Sequence, residues 1–97
     1  LMESNPNVDL DEIKKLVLTF PEVTNLHHLH VWRYSDDLIM MDAHINVTEK
    51  MSVVQLEQLY MKIGHELKEK LGINHVTLQA EYQRGIKESM IVLNKDD

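Results

Sequence analysis

Between Leu38 and Val47 the chain alternates without a break. Ile39, Met41, Ala43, Ile45 and Val47 fall on one side of an extended strand, and Met40, Asp42, His44 and Asn46 fall on the other. A strand with one apolar face and one mixed face covers a single core, which calls for a two-layer fold. A second alternating run, rich in branched and aromatic residues, extends from Leu26 to about Tyr34, and Ser35-Asp36-Asp37 separates the two. The pair predicts a β-hairpin, with His44 pointing away from the main apolar face.

Helices flank this hairpin in sequence. Asp9 is the expected N-cap of the first, with Glu12 as capping-box partner and Val8 and Ile13 as the hydrophobic staple. Ile13, Leu16, Val17 and Phe20 form its buried stripe, and Pro21 marks its end. The second helix repeats the pattern, with Ser52 as N-cap, Gln55 at the third helical position and Met51 facing Leu56. Its stripe is Leu56, Leu59, Tyr60, Ile63, Leu67 and Leu71, and Gly72 is the expected left-handed stop. Gly64 costs about 1 kcal/mol relative to alanine and marks either a close contact or a tolerated surface glycine.

A third strand is predicted from His75 to Tyr82, with Val76, Leu78 and Ala80 inward and His75, Thr77, Gln79 and Glu81 on the other face. A strand, helix, strand unit with so short a crossover returns in parallel beside its first strand. The expected fold is therefore α+β: a two-layer α-β-β-α-β domain with a three-stranded mixed sheet, the second strand central, and two helices on one face. Residues 1–8 read as a linker, 9–82 as the folded domain and 83–97 as a tail. Within the tail, Met90-Ile91-Val92-Leu93 fits either an edge strand or a segment that docks on a partner.

The opening at Leu1-Met2-Glu3, with neither an initiator Met nor a signal sequence, leads us to expect a piece of something longer. The longest apolar runs are far short of the roughly 20 residues that cross a bilayer. At 97 residues the chain supports one modest core, which a dimer would extend. Sixteen acidic against ten basic residues give a net charge of −6, which repels phosphate backbones and favours cations over nucleic acid as partners. With no cysteine, any metal site is built from His, Asp and Glu. No glycine-rich phosphate loop and no serine beside a base points to catalysis, so the chain does not read as an enzyme.

Three of the six histidines crowd into Leu26-His27-His28-Leu29-His30-Val31-Trp32. Imidazole nitrogens at this density suit Zn²⁺ and its transition-series neighbours. His44 and Glu81 point the same way if their strands are neighbours. Simple alternation, however, sets His27 on the side of Leu29 and Val31, opposite His44. Either His27 precedes the regular strand, or the strand starts earlier and His28 is the better partner for His44. On residues alone His28 is either an accessory ligand or, as the favoured reading, a solvated side chain, and His30 is structural with Asp42 or a backbone carbonyl accepting its N–H. His65 lies off the helical stripe, and Met40, Met41 and Met61 are too scattered for a copper site.

Several segments resemble the C-terminal cytosolic domain of cation diffusion facilitators, the proton-coupled exporters of zinc, cobalt, cadmium and related divalent metals. Leu1-Met2-Glu3-Ser4-Asn5-Pro6 is similar to the join after the last membrane helix, and Phe20-Pro21-Glu22-Val23 to the family's Pro-Gly-Val turn. His27-His28-Leu29-His30-Val31-Trp32 resembles its His-Asp-Leu-His-Val-Trp strand, with His28 in place of the common Asp. Asp42-Ala43-His44-Ile45 resembles the second strand, and His75-Val76-Thr77-Leu78-Gln79-Ala80-Glu81 the ending of the third.

The resemblance implies a metallochaperone-like, ferredoxin-like domain on the cytoplasmic side of the cell membrane, continuous with a transmembrane domain and forming a V-shaped homodimer that metal draws closed. It carries over His27, His44 and Glu81 as metal residues, with His75 close to a further ligand position. Gln79 and Glu57 stand where some members have histidine, which departs from a full binuclear set. The expected ion is Zn²⁺, with Cd²⁺, Co²⁺, Mn²⁺ or Fe²⁺ as alternatives. The competing reading is a dimerisation or interaction module of the same fold with no physiological metal.

Overall fold

The structure is a computed structural model, and it describes residues 8–83. The linker residues before Val8, the tail from residue 84 and the Met90–Leu93 segment lie outside the described residues. The elements follow in the order α1 (Leu10–Val17), β1 (Val23–Ser35), β2 (Leu38–Val47), α2 (Val53–Leu71) and β3 (His75–Glu81). The sheet order is β1-β2-β3, antiparallel between β1 and β2 and parallel between β2 and β3, so the expected α+β fold with a central β2 is what forms.

Both helices begin where their caps are. Asp9 accepts the Asp11 backbone N–H at 2.9 Å, while Ser52 and Gln55 satisfy each other's backbone N–H groups in a complete capping box. Gly72 closes α2 at φ 73°, the left-handed conformation that a side chain would disfavour. Helix α1 is shorter than the periodicity suggests: it ends at Val17, and Phe20 packs from the turn that follows.

The core lies between the helices and the inner face of the sheet. Ile13 and Val17 from α1 and Leu59, Ile63 and Leu67 from α2 meet Met41, Ala43, Ile45 and Val47 of β2. Tyr60 turns its hydroxyl toward β3, where it accepts the Ala80 N–H at 3.0 Å. Asn74 ties the starts of β2 and β3 together: its side-chain oxygen accepts the Ile39 N–H, and its own N–H donates to the Ile39 carbonyl, each at 2.8 Å. That clamp sets the parallel register in which Met40 faces His75, His44 faces Gln79 and Asn46 faces Glu81.

Gly64 resolves to the second of its two readings among the described residues. A Cβ there would meet nothing within 4 Å, and the backbone is helical. Gly64→Ala is therefore expected to raise stability by about 1 kcal/mol, the intrinsic helix preference, as a higher midpoint in urea unfolding at unchanged slope.

Strand β1 departs from simple alternation, and this governs the site. Its buried residues Val23, Leu26 and Val31 are three and five positions apart, whereas a regular strand returns to one face only at even spacings. The pairing with β2 slips between Val23 and Asn25 and again between His27 and His30. In the second irregularity His28 and Leu29 together oppose Ala43, a β-bulge, and His28 takes φ 54°.

Candidate metal centre

The outer face of the sheet, turned away from both helices, carries the polar residues of all three strands. His27 pairs across the ladder with His44, so the two imidazoles share that face. Of the two alternatives left open by the sequence, the first fails, because His27 lies within β1 and not before it, and the second holds. Strand β1 does start earlier than Leu26, and the bulge then brings His28 to His44 without removing His27. The rings of His28 and His44 are stacked at 4.8 Å with planes 13° apart, and His27 meets both edge-on at 5.0 and 5.3 Å.

Glu81 reaches this group diagonally from β3. Its Oε2 accepts the Nδ1–H of His44 at 2.7 Å, and its Oε1 lies 3.3 Å from Nε2 of His27. The Glu81 side chain is only 9% exposed, against 27% for His27 and 31% for His44, so the carboxylate forms the floor and the imidazoles the rim. A largely buried carboxylate with an imidazole N–H on one oxygen and a second imidazole nitrogen beside the other is a satisfied arrangement.

One nitrogen from each of His27, His28 and His44 falls within 4.8 Å of the others, which makes this a group able to hold a metal ion. The donor chemistry fits Zn²⁺. Two nitrogens bound to one tetrahedral zinc at about 2.0–2.1 Å sit about 3.3–3.4 Å apart, and Nδ1 of His27 lies 3.3 Å from Nδ1 of His28. An open depression of about 370 Å³ adjoins the group, lined in part by His28, His44, Asp42 and Gln79.

Of the residues singled out from sequence, His27, His44 and Glu81 are brought together and His75 is not. His75 opens β3 beside Met40, six residues before Glu81, which at about 3.3 Å per residue is roughly 20 Å away along the strand. His28, expected to be solvated, is exposed yet lies in the cluster. A bulge was the missing signal, and the odd spacing of Leu26 and Val31 was its trace. His30 is paired with Asp42, Nδ1 to Oδ1 at 3.1 Å, as one of its two expected partners, although its ring is exposed rather than buried. His65 is exposed, and the methionines are dispersed, from Met41 in the core to Met61 in solvent.

The family described as the cytoplasmic domain of cation efflux proteins matches residues 5–83. The chain belongs to that family. The resemblance to cation diffusion facilitators is thereby borne out, as is the cytoplasmic setting of the domain. The chain is 35% identical over 82 residues to a cadmium, cobalt and zinc/H(+)-K(+) antiporter of Bacillus subtilis (strain 168), covering 84% of this chain and 26% of that protein. It is 34% identical over 85 residues to the zinc transporter ZitB of Escherichia coli (strain K12), covering 86% of this chain and 26% of the relative. It thus spans about a quarter of the length of these curated relatives, which are named as an antiporter and a transporter.

Solved cation efflux domains have the same fold. The metal-bound C-terminal domain of the CzcD transporter from Cuprividus metallidurans superposes with a TM-score of 0.64 at 30% identity, covering 76% of this chain and 99% of that one. The corresponding metal-bound domain from Thermotoga maritima gives 0.68 at 29% identity, covering 77% and 87%. No helix among the described residues is long and apolar enough to cross a membrane.

Proposed function

We propose that this domain is the regulatory, dimer-forming part of a proton-coupled divalent-cation exporter, and that it binds Zn²⁺ at the cluster containing His27, His44 and Glu81. The observation that carries this reading is the convergence of imidazoles from two strands and a carboxylate from a third on one open sheet face. Relatives named for cadmium, cobalt and zinc transport support the class of ion. Imidazole donors without thiolates suit Zn²⁺ first, with Cd²⁺ and Co²⁺ next and Mn²⁺ or Fe²⁺ as weaker fits.

The regulatory step follows from charge. Each chain carries −6, so two packed copies repel, and a bound divalent cation supplies positive charge and directional bonds that offset the repulsion. Such a device shifts the dimer only if the closed arrangement binds the ion more tightly than the open one. Titration of Zn²⁺ into the purified chain at neutral pH, followed by calorimetry and small-angle scattering, tests this. The expected result is saturable binding accompanied by compaction of a dimer. A dimer that binds no Zn²⁺ supports instead the interaction module without a metal of its own.

A further inference from the structure

His28 and Gln83 are the non-glycine residues with positive φ among those described, and His28 sits inside a paired strand. A residue other than glycine is uncommon in this region, although His is among those that enter it more readily. The bulge that requires it does two things at once. It returns Val31 to the core, and it turns His28 away from the side of Leu26, where regular alternation would leave it. The His28 ring then lies against His44, with its Nδ1 3.3 Å from Nδ1 of His27.

Glu81 constrains the other two rings from below. Its Oε2 takes the Nδ1–H of His44, which leaves the lone pair of His44 on Nε2. Its Oε1 faces Nε2 of His27, and a carboxylate favours the tautomer whose N–H points at it, so the lone pair of His27 falls on Nδ1. That is the nitrogen nearest His28. Carboxylates behind metal-binding imidazoles hold them in this way, fixing ring orientation and tautomer.

We infer that His28 is a third imidazole ligand of the metal site and that Glu81 is a positioning residue, so that the donor set is three neutral imidazoles. This assignment of roles rests on the metal-binding reading above. With the lone pair of His27 on Nδ1, a proton in the contact between the two Nδ1 atoms belongs to His28. Ligation through Nδ1 requires that proton to leave for solvent while Nε2 of His28 takes one up, so the ring stays neutral. Three imidazoles with a fourth position open to water or another group select Zn²⁺ and Co²⁺ over the oxygen-preferring Mn²⁺.

The test compares the wild-type 97-residue chain with His28→Asn and Glu81→Gln, using Zn²⁺ calorimetry and X-ray absorption spectra of the zinc-loaded proteins. Asparagine tolerates positive φ, so the bulge is retained, and circular dichroism verifies the fold. Three imidazoles are expected in the wild type. His28→Asn should show two, with affinity at least about 10-fold lower, whereas Glu81→Gln should keep three while losing about 10- to 100-fold in affinity. A wild-type spectrum with two imidazoles and a carboxylate overturns this assignment alone, as does full Zn²⁺ affinity in His28→Asn. A wild-type chain that binds no Zn²⁺ overturns the metal-binding reading and this one with it.

Discussion

His44→Ala is expected to lower the Zn²⁺ affinity of the domain by more than about 100-fold while leaving it folded. Altering only the hydrogen-bond partners behind metal-binding histidines costs about 10- to 100-fold, and losing a ligand costs more. His44 is the hub of the cluster: it stacks on His28, pairs with His27 across the ladder and donates to Glu81 at 2.7 Å. It sits on the central strand but on the outer face, so its removal opens no cavity in the core. Calorimetry of the variant beside a thermal melt separates the two effects. A variant that binds Zn²⁺ as well as the wild type would place the metal elsewhere.

The same site carries a pH signature. An imidazole nitrogen coordinates only without its proton, and free imidazole takes one up near pH 6.5, so protons compete with metal. Affinity should therefore fall progressively as the pH is lowered from neutral. Full affinity at pH 5 is incompatible with histidine ligation.

Ile63→Ala is the substitution expected to cost most in stability, about 2–5 kcal/mol. Ile63 is fully buried in the middle of α2, at the junction of both helices and the inner sheet face, and backbone relaxation there is opposed from every side. A chain of this size has about 5–15 kcal/mol in total, so the loss is a large share and the melting temperature should drop by at least about 10 °C. Met61 on the same helix is the contrast: it is 73% exposed, and Met61→Ala should change stability by less than about 0.5 kcal/mol. Urea midpoints for both variants, at a common slope, provide the check. A cost at Met61 comparable to that at Ile63 would mean that its face is covered in the assembled dimer.

The elements and their faces were legible in the sequence because the interactions that set them are local. Asp9, Ser52 and Gln55 act on backbone groups within three residues, Gly72 ends its helix through its own φ, and β2 reads as strictly alternating because every extra residue in its pairing with β1 lies on β1 and its pairing with β3 is regular. The parallel return of β3 beside β2 follows from a short crossover through a single helix, and chain chirality makes that crossover right-handed, neither depending on any distant contact. The resemblance carried by the histidine motifs, Asp42 to Ile45 and His75 to Glu81 identified the family for the same reason: its signature lies in contiguous segments.

The metal centre was only half legible. From alternation alone His27 and His44 fall on opposite faces, and His28 is left to solvent. The first expectation fails at one extra residue, the bulge at His28, whose presence depends on the register that β1 finds against β2 while burying Val23, Leu26 and Val31 together, and His28, though exposed as expected, comes to lie beside His44. Sequence by itself determined which residue types were available and on which strands: imidazoles from β1 and β2, a carboxylate from β3 and no thiol. Tertiary structure alone decided that His28 joins His27 and His44, that Glu81 lies beneath them and that His75 stands apart. A pairing register and the strained residue it imposes are set by the whole sheet closing on its core, and no single strand contains that information.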